Sequence, residues 1–462
     1  MIARNLGFLG RRSLPCGRDD RGECRDDRGE DRDDRGEDRE FINCCRLLAG
    51  TPYLRNPMNL FPHVDQLIAD AAPPLPGEIC PVVASSGRVV SRPLLARVPQ
   101  PGYDQATRDG FAVGAGGDIV ANDVRFRIVG EAPAGDTRRR VIIAGQACRI
   151  MTGGMVPDGT ERVVPQEDCA VEDGMFLVSA WGLARNNTFI ARQGSQVAEG
   201  EILVEQGIIL HSEHSALLAS CGHTEIEVYR RPRIGFFCTG SELVETADQL
   251  VPGLKLSANR YLLEGLIRQF LAEPENLGLV PDQAGDLDRI LAKIATASLD
   301  AVISTGGMGP GKYDLLEEAF RRAGGEVVSR SLAMRPGTST LIGRLGRAVF
   351  FGLPGPPGAV RTLMNELVGP ALLQLQGVKD YAPVVLQAGL QQQVKIGDSE
   401  VLHIKPGVLR MAARGLEVRL TGRLESPSCF VLFPPGQEVY PSGSEVEVHL
   451  AWSPEVARLF RG

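Results

Sequence analysis

The sequence predicts a multidomain protein that combines an α/β domain with β-rich domains. Three observations carry this. The chain has 462 residues, enough for about three domains at ~150 residues each. Strands and helices alternate over residues 232–377, the pattern of a parallel-type sheet with helices on both faces. Residues 101–190 and 380–462 instead show short apolar runs separated by turn residues, the pattern of β domains.

Composition narrows the class. The chain is 43% hydrophobic, 23% charged and 5% aromatic, with 54 Gly and 31 Pro, which suits a globular protein rich in turns. A net charge of −7 argues against a general nucleic-acid or anionic-membrane binder. No apolar run reaches the ~18 residues that span a bilayer. The ten cysteines form no CxxC pair, as expected of reduced thiols.

Residues 1–57 stand apart. The unit DDRGE recurs at Asp19, Asp26 and Asp33, without the apolar seam that a coiled coil would bury and with a Gly in each unit. Such a segment is expected to be disordered, as a solvated extension, one lying upstream of an ordinary start at Met58, or a charged interaction tail. Met58 opens a helical pattern. Segments 58–100 and 191–230 are mixed, and 101–190 holds apolar runs such as VRFRIVG and RRRVIIAG, read as short strands. His211, His214 and His223 lack a completing ligand at metal spacing, so structural or surface roles are expected. Arg138 to Arg140 reads as a solvated hairpin edge.

In the 232–377 block, RIGFFCTG reads as a strand. Leu262, Leu263, Leu266, Ile267, Phe270 and Leu271 mark one helix; Leu287, Ile290, Leu291 and Ile294 mark the next. LDAVIST is a buried-type strand. Ligands of such sheets bind at the carboxyl ends of the strands. One loop there, Gly306-Gly307-Met308-Gly309-Pro310-Gly311-Lys312-Tyr313-Asp314, fits G-x-x-x-x-G-K only superficially. Tyr313 replaces the metal-binding Ser/Thr and Pro310 removes an N–H. A glycine-rich anion-binding turn is the better reading, with Asp314 as helix N-cap or cation ligand. The Thr239-Gly240-Ser241-Glu242 loop presents a second carboxylate, or a helix-initiating turn. Pro354-Gly355-Pro356-Pro357 precedes an amphipathic helix.

Six segments in one order carry a resemblance: RDGFAV (108–113), RIMTGGMVPDGTERVVPQED (149–168), YRRPRIGFFCTGSELVE (229–245), STGGMGPGKYD (304–314), LAMRPGTSTLIGRLG (332–346) and FGLPGPPGA (351–359). Together they resemble the molybdopterin molybdenumtransferase family of bacterial MoeA and the gephyrin E domain, over residues 58–450. The resemblance implies a composite linker domain (58–100 and 191–230), a β-rich domain (101–190), a molybdopterin-binding α/β domain (232–377) and a C-terminal β-barrel (380–462). It implies a cytoplasmic homodimer with each site shared between subunits. It also implies Mg²⁺-dependent insertion of molybdate into adenylylated molybdopterin with release of AMP, and a molybdopterin adenylyltransferase as a partner. By the same resemblance Asp109, Thr152, Glu242 and Asp314 are catalytic, with Glu242 and Asp314 holding the metal. Gly306, Gly307, Gly309, Lys312, Asn259, Arg335, Pro354 and Gly355 bind substrate. The chain departs from the family pattern at Gly309, Lys312, Thr338, Ser257 and Gln196, all polar ligand positions. Two alternatives follow: an adenylyltransferase-like enzyme, since GGMGPG…D also resembles that loop, or a non-catalytic molybdopterin-binding scaffold.

Overall fold

The computed structural model describes residues 73–456, apart from 117, 121–122, 173–174, 180–182, 184–186, 309–314, 398–399 and 414. The repeat-bearing segment, the helical pattern after Met58, and Gly309, Lys312 and Asp314 lie outside the described residues.

Two segments far apart in sequence build the first layer. Gly77–Pro81 pairs antiparallel with Glu225–Tyr229, and Leu94–Leu95 with Ile202–Val204. Their inward residues Cys80, Val90, Leu94, Leu210, Leu218 and Val228 form one buried cluster. His211 is the N-cap of helix Ser212–Ser220, and its N–H donates to His214 Nδ1 at 3.1 Å. His223 is buried, with Nε2 2.8 Å from the Leu95 carbonyl.

The β-rich domain is a seven-stranded sheet. Gly110–Val113 is buried along its whole length, because Phe111 and Val113 enter a cluster on one face while Ala112 enters another on the opposite face. RRRVIIAG is not a strand. Asp123–Ala132 and Gln146–Ile150 pair in parallel, and parallel neighbours need a long return connection. Residues 133–145 are that crossover. Arg138 and Arg140 therefore do not edge a hairpin; both pair with Asp136 inside the loop.

The α/β domain contributes strands β1 (Arg233–Thr239), β2 (Glu273–Val280), β3 (Ala301–Thr305), β4 (Glu326–Arg330), β5 (Leu341–Leu345) and β6 (Ala348–Leu353), and helices α1 (Ala258–Gln269), α2 (Ala284–Thr296), α3 (Leu315–Arg322) and α4 (Pro357–Leu363). The sheet order is β2-β1-β3-β6-β5-β4. Strands β2, β1, β3 and β6 are parallel, as expected. β5 runs antiparallel to both neighbours, because only two residues, Gly346 and Arg347, join it to β6 and so force a hairpin. Every residue of β3 is buried: Ala301 and Ile303 pack with α1 and α4, and Val302 packs with α2 and α3. Chain order reverses between β1 and β3, since β1 is followed by β2 on one side and β3 on the other.

The C-terminal strands Val385–Leu390, Leu402–Ala412, Gly415–Leu420, Cys429–Phe433 and Glu445–Leu450 pair in a closed ring, a five-stranded barrel. It is fastened to the α/β domain by a buried pair, His449 Nδ1 to Glu366 Oε2 at 2.6 Å, and by Trp452 stacked on Phe270 at 4.8 Å.

Candidate functional site

A cavity of about 600 Å³ lies where the sheet order reverses, lined by the loops after β1, β2, β3 and β6 and by the start of α1. It gathers Glu242, Asn259, Gly306, Gly307, Pro354 and Gly355. Each loop is positioned by a specific contact. The Asn259 amide donates to the Gly355 carbonyl at 2.7 Å, tying α1 to the proline-rich loop. A Cβ on Gly306 would lie 2.3 Å from the Thr239 carbonyl, and φ is +91° there, so this crossing of two loops requires glycine. Gly306 does not act as an N–H cradle: its N–H is taken by the Leu353 carbonyl at 3.0 Å. Its contribution is close approach.

The loop after β1 does not start a helix. Glu242 leads instead into Leu243–Val244, which pairs in parallel with Lys255–Leu256. This ribbon carries the chain to α1 and brings Lys255 to the cavity. Among the described lining residues Lys255 is the one cation, and Glu242 and Asp282 are the carboxylates that line the cavity with it.

Asp109 and Thr152 meet each other, but neither lines this cavity. The Thr152 N–H and hydroxyl both donate to Asp109 Oδ1 at 2.7 Å. These two bonds hold the Asp109 carboxyl below its ordinary value. Arg335 lies on the short strand Met334–Arg335, paired with Leu402–His403 of the barrel. It is exposed and does not line the cavity, whereas Ser339 of the same turn does.

Sequence reasoning missed Asp282, Thr239 and Lys255. Asp282 lies two residues past β2, so the strand-end rule applied to a third loop would have found it. Four polar atoms around the cavity are buried without a hydrogen-bond partner: Thr239 Oγ1, Ser257 Oγ, Asn259 Oδ1 and Asp282 Oδ1. Such groups are costly to leave unpaired, and their concentration on one cavity marks a site built for a polar ligand.

Fold and cavity together define a multidomain α/β protein with a polar-lined cavity at the switch point of its sheet. Residues 62–222 match the MoeA N-terminal region (domain I and II), and residues 235–374 match a probable molybdopterin binding domain. The chain is 31% identical over 334 residues to the molybdopterin molybdenumtransferase of Nostoc sp., covering 71% of this chain and 74% of that one. It is 26% identical over 415 residues to the molybdopterin molybdenumtransferase of Staphylococcus aureus, covering 86% and 97%. The crystal structure of the molybdopterin biosynthesis MoeA protein of Pyrococcus horikosii superposes with a TM-score of 0.72 at 25% identity, covering 86% of this chain and 100% of that one. The chain belongs to the molybdopterin molybdenumtransferase family. It is accordingly a transferase with a role in molybdenum cofactor biosynthesis.

Proposed function

We propose that this chain inserts molybdate into adenylylated molybdopterin and releases AMP. The observation that carries the reading is the cluster of four buried, unpartnered polar atoms on the switch-point cavity. A substrate with a phosphoanhydride and a pterin supplies the missing hydrogen bonds, and the glycine at 306 lets the loops after β1 and β3 cross at the cavity wall.

The donor set fits Mg²⁺. Among the described residues no group of three or more His, Cys, Asp and Glu gathers. Mg²⁺, however, commonly takes one or two carboxylates and completes its shell with substrate phosphate and water oxygens. Glu242 and the unpartnered Asp282 Oδ1 are hard oxygen donors on this cavity, and Asp314 is proposed as a third from the family motif. When bound, the ion would neutralise charge developing on the departing phosphate. The chain's own residues orient the substrate: Asn259 and Thr239 by hydrogen bonds, Pro354 and Gly355 by shape. Gly307, Gly309, Lys312 and Arg335 are proposed anion contacts.

Asp109 is half-buried and Thr152 exposed, and the two are already bonded to each other, as a preorganised acidic pair would be. We assign them to the cavity of a second copy of the chain, which makes the working form a homodimer. We place the reaction in the cytoplasm, with a molybdopterin adenylyltransferase supplying the substrate. Among the described residues no helix is long and apolar enough to cross a membrane.

The test is AMP release from purified adenylylated molybdopterin, with and without molybdate. Wild type should release AMP only with molybdate. Glu242→Gln and Asp109→Asn should each lose activity by orders of magnitude with unchanged melting, and a mixture of the two should regain it. Adenylylated product formed from molybdopterin and ATP would support the adenylyltransferase alternative instead. Tight pterin binding without turnover would support the scaffold.

A further inference from the structure

Between α4 and the helix Gly369–Leu375 the chain makes one π-helical turn, Met364–Val368, and all five of its residues are buried. Such turns are rare and concentrate where a helix serves something beyond its own packing. Here the turn carries Asn365 and Glu366 into an apolar cluster shared by the α/β domain, through Leu363 and Leu367, and the barrel, through Ile404, Phe430 and Leu432. Both side chains reach across the joint. Asn365 Oδ1 accepts the Trp452 N–H at 2.9 Å, and its Nδ2 donates to Glu366 Oε1 at 2.9 Å. His449 Nδ1 donates to Glu366 Oε2. Apolar residues would hold two domains together at least as firmly as a buried ionic pair. What the ionic pair can add is a single permitted geometry.

Two routes connect this joint to the cavity. α4 starts at Pro357, the last residue of the proline-rich loop that lines the cavity, and Glu366 follows about two and a half turns further along. The other route runs through the barrel. His449 lies opposite Phe430, and Phe430 lies opposite Pro406 on the strand Leu402–Ala412. That strand begins by pairing with Met334–Arg335, and the turn after Arg335 brings Ser339 to the cavity.

We propose that Glu366 and His449 are positioning residues for the reaction: their contact seats the barrel so that its strand at Leu402 holds the turn 334–339 against the cavity. The effect on turnover rests on the molybdenumtransferase reading; the seating does not. The charges that act on His449 are Glu366 across the joint and Glu447 on its own strand, while Val385 and Phe430 lie opposite it on the neighbouring strands. Glu447 Oε1 is 3.5 Å from His449 Nε2, and neither atom has a hydrogen-bond partner, so the bond that fixes the ring is the one to Glu366. A neutral ring would leave two buried carboxylates with no cation between them, and the seat should loosen.

The experiment pairs hydrogen exchange of the full-length protein with AMP release from adenylylated molybdopterin, each across pH 7.5 to 10 and the second across molybdate concentrations. In wild type, protection of Leu402 and His403 should fall at least about tenfold as pH rises through about 9, while β1 and β3 keep theirs. Over the same range kcat/KM should fall, through the KM for molybdate more than through kcat. In Glu366→Gln both steps should move to lower pH, because the strongest of the contacts that raise the His449 pKa is gone. The double variant Glu366→Gln/His449→Gln, which sets two neutral amides at the joint, should show neither step. Wild-type protection and an unmoved pH step in Glu366→Gln would overturn the positioning role, as would lost protection with an unchanged KM for molybdate. If the variants fail to fold, the wild-type series decides: coincident steps in protection and KM support the role, and separate ones overturn it. A wild type that shows the protection step yet releases no AMP at any pH would overturn the molybdenumtransferase reading and leave the seating standing.

Discussion

At the scale of single residues, the cavity trades stability for binding capacity. Thr239 is 5% exposed and its Oγ1 has no partner. Replacing that hydroxyl by a methyl of the same shape removes an unsatisfied buried group, so Thr239→Val should stabilise the ligand-free protein by about 1 kcal/mol. The same change should weaken substrate binding, visible as a higher KM with the melting temperature raised. A variant that melts lower and keeps its KM would show that Thr239 serves the fold. Glu242 and Asn259 were legible in the sequence because a strand end or a family motif marked them. Ser257 and Lys255 were not legible as neighbours on the cavity. Their placement depends on a two-residue ribbon, which leaves no periodic signal.

At the scale of elements, the crossing of the β1 and β3 loops is the critical contact. Gly306→Ala would place a Cβ 2.3 Å from the Thr239 carbonyl at a φ of +91°. Something must move, at a cost of roughly 1–3 kcal/mol. The expected result is a protein that melts lower and loses turnover. Retained turnover at a lowered melting temperature would show that the crossing serves the fold and not the site. The helices α1 and α2 could be read from their apolar spacing, because each packs one face on the sheet and burial sets a period of 3.6. The direction of β5 and the crossover at 133–145 could not. Parallel and antiparallel strands bury the same residue types, and only the length of the connection separates them. In RRRVIIAG just one apolar residue, Ile142, is buried, so its strand-like composition does not report a strand.

At the scale of the whole molecule, the barrel is held to the α/β domain by an ionic contact that titrates. Burial pushes the His449 imidazole down, but the Glu366 carboxylate, with Glu447 beyond it, outweighs burial and raises its pKa to about 9. The unfolded value is about 6.5. A raised folded pKa means stability that is fully present below about pH 6.5 and lost as pH rises through about 9. Melting temperature should therefore fall between those limits in wild type and fall much less in His449→Gln; equal slopes would remove the pair from the account. The sequence placed the barrel and the α/β domain in the correct order, while the pair that fastens them joins residues 83 positions apart and carries no local signature. On the proposed function, the switch-point cavity inserts molybdenum and releases AMP in one reaction. The most direct measurement is the ratio of molybdenum recovered in the pterin product to AMP released by the wild-type protein. The account predicts one to one, with both falling together in Glu242→Gln. AMP released without molybdenum in the product, or molybdenum inserted while AMP stays attached, would contradict it.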